Sequence, residues 1–223
     1  MDHVFAAAAF AGTDLSCRRG GRLVFAGLNF GINSGEALVL RGPNGSGKTT
    51  LLRLMAGLAR KSSGVLTWDG ADVHDDLPLH GSRLAFAGHL DAVKPALSVR
   101  ENLAFWADVR GSSLTDIDKA LKAFSLSHLA DLPGRVLSAG QRHRVALARV
   151  AMNGAQLWLL DEPTNTLDDA ALSALQGVLQ RHLQNGGMVV MASHGDTLLP
   201  QAKTLDVRAF IAKARTADLE SAA

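Results

Sequence analysis

The chain has 223 residues, with 23 Lys and Arg against 21 Asp and Glu, nearly half of its residues apolar and a fifth charged. That length buries a sizeable core without staples, the composition excludes a disordered or fibrous chain, and a formal charge of +2 with no clustered basic face is no footprint of nucleic acid or of an anionic membrane surface. The single cysteine, Cys17, forms no internal disulfide and the histidines lack Cys partners at zinc spacing, so a reducing compartment, the cytosol, is expected.

Along the chain, MDHVFAAAAFAG lacks the Lys/Arg start of a signal peptide and is read as a first strand. No window holds the roughly 18 consecutive apolar residues of a membrane span, so any membrane link is expected to pass through a partner. EALVLRG predicts a strand, and KTTLLRLMAGL a helix with Leu51, Leu54, Met55 and Leu58 at helical spacing. GVLTWDG and RLAFAG predict short strands. QLWLLDEP and MVVMASH are continuous apolar runs, the pattern of strands buried on both faces of a parallel sheet. Between about residues 98 and 153 the pattern turns helical. Ser98 with Glu101, and Ser138 with Gln141, form capping boxes; Thr115 is read as opening a further helix, and the helix over 168–185 stops at Gly186. The tail ending ADLESAA reads as frayed. There is no internal repeat, and the class is α/β.

Chemistry concentrates at three points. Gly42, Pro43, Asn44, Gly45, Ser46, Gly47, Lys48 and Thr49 spell GPNGSGKT where strand gives way to helix, with Thr50 following. Such a loop wraps phosphate oxygens with backbone N–H groups, supplies an ammonium from Lys48, and offers the Thr49 hydroxyl to magnesium. Asp161 ends the LWLLD strand, where a carboxylate can reach magnesium through water. Glu162 is next; strand alternation would aim it elsewhere, toward an attacking water as general base. Some twenty residues earlier, LSAGQRHRVALARV is a helix whose start carries Ser138, Gly140 and Gln141, a capped start that is an anion site or ordinary capping.

In this order GPNGSGKTT, LSAGQ and LWLLDEP resemble the Walker A, signature and Walker B motifs of the ABC ATPase family, over essentially the whole chain. TNTLD resembles its D-loop with Asp168, and MASH its switch, ending at His194. The resemblance implies one ABC ATP-binding domain over 1–223: a P-loop core with an antiparallel β subdomain (1–97 and 154–223) and a helical signature subdomain (98–153). It implies ATP and Mg2+ as ligands, with Thr49 and Asp161 toward the metal and Lys48, Glu162 and His194 as catalytic groups. It also implies a head-to-tail homodimer, in which Ser138, Gly140 and Gln141 of one copy close on the nucleotide of the other.

Two positions depart from the family pattern. His89 stands where a glutamine is expected; it can hydrogen-bond a nucleotide water as neutral imidazole, but lacks the amide's paired donor and acceptor. Arg19 stands near the place of an adenine-stacking aromatic, and either stacks through its guanidinium or is solvated. Cys17, Trp68, Trp106 and Trp158 are expected to pack, and His3, His74, His80, His128, His143 and His182 to be solvated or packed. The 98–137 insert is short and lacks heptads, unlike the coiled-coil inserts of DNA-repair relatives, and one cassette is present rather than the two of translation factors. A transporter energy subunit without nucleic acid is therefore favoured. LSCRRGGRLVFAGLNF, Gly88–His89 and the Ala139-containing signature are similar to the haem-exporter ATPases of cytochrome c maturation. That likeness implies separate haem-exporter-type membrane subunits and peripheral attachment through them at the cytoplasmic face of the bacterial inner membrane. Lipid, lipoprotein or amino-acid transport are the alternatives.

Overall fold

The computed structural model describes residues 4–194 and 198–211. The expectations made for His3 and for the ADLESAA tail lie outside them. The first strand begins later than MDHV: β1 spans Ala9–Arg19, pairing antiparallel with β2, Arg22–Asn33. The hairpin turns at Gly20 and Gly21, whose φ of 56° and 80° give the left-handed two-residue turn that matches strand twist. β4 (Ser63–Trp68) and β5 (Ala71–Asp72) complete a sheet of order β2-β1-β4-β5.

The second sheet is parallel. β3 (Ala37–Arg41), β6 (Leu84–Ala87), β7 (Leu157–Asp161), β8 (Met188–Ala192) and β9 (Lys203–Asp206) lie in the order β6-β7-β8-β3-β9. Every residue of β7 and β8 is buried, as their unbroken apolar runs require. The sheet divides two cores. Leu38, Leu40, Leu157, Leu159 and Val190 face α1 (Lys48–Met55) and the antiparallel sheet. Val39, Trp158, Leu160, Val189 and Met191 face the helices α3 (Val99–Arg110), α5 (Ala139–Met152) and α6 (Asp169–Gln184). Burying each such side chain is worth about 1.5–3 kcal/mol, and a slip of one residue would carry every side chain of a strand into the other core.

α3, α4 (Leu114–Ala123) and α5 pack on one another. Both expected capping boxes, at Ser98 and Ser138, are present with both reciprocal bonds. The helix assigned to Thr115 begins one residue earlier, at Leu114, because Ser113 caps it and Asp116 closes the box from the third helical position. One helix had no sequence expectation: α2, Leu77–Arg83, capped by Asp76 and stiffened by Pro78. α6 stops as expected, with Gly186 at φ 83°.

Candidate functional site

β3 delivers the GPNGSGKT loop to the start of α1. Gly42 and Gly47 have φ of 146° and 94°, conformations that strain other residues; a Cβ on Gly47 would stand 2.7 Å from the Val24 side chain, so β2 packs directly over the loop. Val24 is a contact that sequence reasoning missed, since nothing in a pairwise motif reports a strand crossing above it. Asn44 and Gly45 are exposed at the loop apex and Pro43 beside them. Thr50 is buried in the first turn of α1.

Of the helices α1 to α6, α1 alone has no side-chain cap; Asp76, Ser98, Ser113, Ser138 and Asp168 cap the others. It also has no acidic residue in its first turn. A helix start left in this way exposes N–H groups and partial positive charge to an anion. Ser46 points the same way: its hydroxyl is buried, has no hydrogen-bond partner among the described residues, and lies inside the loop against Gly42. A phosphate oxygen held by the loop would satisfy it.

Five side chains converge at the loop. Lys48 Nζ donates to the Gly42 carbonyl (2.8 Å) and the Pro43 carbonyl (3.3 Å), lies 3.0 Å from His194 Nε2 and 3.9 Å from Glu162 Oε1. Glu162 Oε1 is 3.0 Å from His194 Nε2. Burial pushes the Lys48 ammonium below the ordinary lysine range, while Glu162 and Asp161 pull it back up. Thr49 Oγ1 donates to Asp161 Oδ2 at 2.9 Å. A hydroxyl and one carboxylate are hard oxygen donors of the kind Mg2+ takes when substrate phosphates and waters complete its shell, so the donor set fits that ion.

Asp161 and Glu162 part company for a reason other than strand alternation. β7 ends at Asp161, and Glu162 takes φ 54° with its N–H donating to the Ala192 carbonyl. The left-handed turn swings its carboxylate to Lys48 and His194.

Among the described residues, the remaining expected ones make no bond to this cluster. Ser138, Gly140 and Gln141 start α5, where the Ser138 hydroxyl accepts from the Gln141 N–H and Gln141 Oε1 accepts from the Ser138 N–H. His89 is exposed in the bend after β6, and Arg19 is exposed at the hairpin turn. Asp168 caps α6. Cys17 is buried; Trp68 packs on Phe10 and Arg83, Trp106 on Phe105 and Arg149, and Trp158 stacks on His182 with ring centroids 3.8 Å apart.

Residues 25–165 match the family model described as ABC transporter. The chain is 53% identical over 205 residues to the cytochrome c biogenesis ATP-binding export protein CcmA of Rhodospirillum rubrum, covering 92% of this chain and 88% of that one. It is 48% identical to the protein of the same description from Paramagnetospirillum magneticum, over 90% of this chain and 94% of the other. In three dimensions it is similar to an ABC transporter ATP-binding protein from Pyrococcus furiosus, with TM-score 0.79 at 22% identity, covering 91% and 98% of the two chains; this is a likeness of fold.

Proposed function

The chain belongs to the ABC transporter family, and from that membership we propose that it is the ATP-hydrolysing subunit of the export machine of cytochrome c biogenesis, energising haem export or release of a haem-loaded chaperone. The observation that carries the mechanism is the meeting of Lys48, Glu162 and His194 beside the uncapped start of α1. The loop from Gly42 to Thr49 wraps the phosphates of ATP, and Lys48 turns from its loop carbonyls to the outer oxygens. Glu162 takes a proton from the attacking water, and His194, bonded to it, orients that carboxylate and meets the terminal phosphate. Thr49 and Asp161 would hold Mg2+, which neutralises developing charge on the phosphates when bound.

Ser138 and Gln141 bond to each other and to none of the Lys48 cluster, which supports the service of Ser138, Gly140 and Gln141 to the nucleotide of a second copy in a head-to-tail homodimer. The bond from Gln141 to the Ser138 hydroxyl leaves that oxygen a free proton to give to a phosphate. Among the described residues no helix is long and apolar enough to cross a membrane. Leu90 and Phe105 are exposed on the 89–106 face, at 81% and 42%, and support docking of a separate integral membrane subunit there, at the inner face of the bacterial inner membrane.

The test is affinity purification of the ATP-trapped Glu162→Gln protein from native membranes, with mass spectrometry of its partners and a haem absorbance scan. Recovery of cytochrome-maturation membrane subunits is expected. A different permease would discard the substrate reading and keep the ATPase, whereas ribosomes or nucleic acid would overturn the transporter reading.

A further inference from the structure

His143 lies one turn inside α5 and is only 8% exposed. Its Nδ1 is 2.9 Å from Asp91 Oδ1, and its Nε2 is 3.2 Å from the Pro163 carbonyl. The first contact belongs to the segment that follows β6, the second to the residue directly after Glu162. On the same helix face, Gly140 approaches the loop after Glu162 so closely that a Cβ would stand 2.6 Å from the Thr166 carbonyl. α5 therefore grips the 163–166 loop at two points one turn apart.

Both ends of this link are backbone that needs holding. Glu162, Thr166 and Ala92 have φ of 54°, 63° and 54°, left-handed conformations that cost a side-chain-bearing residue about 1 kcal/mol or more and persist where the surroundings fix them. The Asp91 side is fastened further along: Asn102 Oδ1 accepts from the Lys94 N–H at 2.7 Å, and its amide donates to the Lys94 carbonyl at 3.2 Å. From α5, Arg149 donates to the Phe86 carbonyl at 3.1 Å and lies over the Trp106 ring. The segment carrying His89 and the exposed Leu90 is thus bound to α3 and α5, and through His143 it reaches the carbonyl next to Glu162.

We propose that His143 is a positioning residue for hydrolysis, bridging Asp91 to the Pro163 carbonyl so that the setting of the 89–94 segment fixes the backbone turn that aims Glu162. The proposal rests on the reading of Glu162 as the group that polarises water. His143 touches neither the phosphate loop nor Lys48, so it acts on turnover and leaves nucleotide affinity alone.

The experiment measures kcat and KM for ATP in the full chain and in His143→Leu, His143→Gln, Asp91→Asn, the His143→Leu/Asp91→Asn double variant and Glu162→Gln, each checked for folding by thermal melting. His143→Leu should lower kcat about tenfold, the effect of losing one well-made bond to a charged group, with KM for ATP within about twofold of the parent. His143→Gln, whose amide keeps two N–H donors, should recover most of that loss. Asp91→Asn should be impaired alone, and the double variant no worse than His143→Leu; if His143→Leu fails to fold, the drop in Asp91→Asn carries the test. A parental kcat in His143→Leu beside an inactive Glu162→Gln overturns the inference and spares the Glu162 reading. Equal loss in His143→Leu and His143→Gln, or a raised KM with unchanged kcat, overturns it as well. Parental turnover in Glu162→Gln removes the reading beneath it.

Discussion

His182 is a group through which acid should reach the fold. It stacks on Trp158, its Nε2–H donates to the Gln156 carbonyl at 3.0 Å, and Gly187 packs so tightly on its ring that a Cβ there would collide with it. Burial pushes its pKa from 6.5 down to about 4, against the opposing pull of its bonds to the Gln156 and Met188 backbone. In the unfolded chain the imidazole titrates at its ordinary value, so between those two values the unfolded chain holds a proton that the folded one refuses. The stability present at neutral pH is lost as pH falls through the unfolded value, and the loss levels off near the folded one. A depression of this size corresponds to about 3 kcal/mol, a large share of a net stability of about 5–15 kcal/mol. The check is urea unfolding from about pH 7.5 to about pH 4.5 of the parent and of His182→Phe, which keeps an aromatic ring on Trp158 and cannot titrate. At neutral pH the variant should be the weaker, because the Gln156 carbonyl loses its donor, at about 1–3 kcal/mol. On acidification the parent should lose about 2–3 kcal/mol more than the variant. Parallel curves would refute the assignment of a buried neutral imidazole.

Lys48→Ala should abolish turnover and ATP-linked stabilisation. ATP at about a hundred times its dissociation constant should raise the parent's unfolding free energy by about 2.7 kcal/mol, and thermal shift in the variant at the same concentration should stay flat. In Gly140→Ala, helix propensity gains about 1 kcal/mol, but the new Cβ meets the Thr166 carbonyl, an overpacking cost of about 1–3 kcal/mol. The net outcome should be a lower melting temperature together with reduced turnover, both read on the same preparation. Ser138→Arg should leave the monomer's melting temperature within a few degrees of the parent and block ATP-dependent dimerisation of the Glu162→Gln background, read by size-exclusion chromatography with light scattering.

The phosphate loop, the buried strands and the capped helices were legible because each rests on local chemistry. Glycines where the backbone turns left-handed, unbroken apolar runs on β7 and β8, and Ser-x-x-Glu or Ser-x-x-Gln at helix starts all declare themselves within a few residues. Ser113 is less legible because its box is closed by Asp116, a shorter carboxylate that serves as well as Glu when the hydroxyl meets it. Contacts between distant segments left no such mark. His143 reads as an ordinary solvated or packed histidine, since its partners Asp91 and Pro163 lie 52 and 20 residues away. Glu162 drew attention by its neighbours, yet its φ of 54° is imposed by the loop that follows, which no alternation pattern encodes.

The parallel sheet stands between two cores that share strands and little else. Leu38 and Leu40 answer to one side and Val39 to the other, although all three belong to the strand that feeds the phosphate loop. Residues on opposite sides share few partners, so changes on one side should add to changes on the other with little coupling. In evolutionary terms the wall separates two ledgers of mutation: the helical side can be rewritten to suit a new membrane partner while the hairpin side keeps its grip on the loop. A lineage can exchange its cargo without renegotiating its fuel.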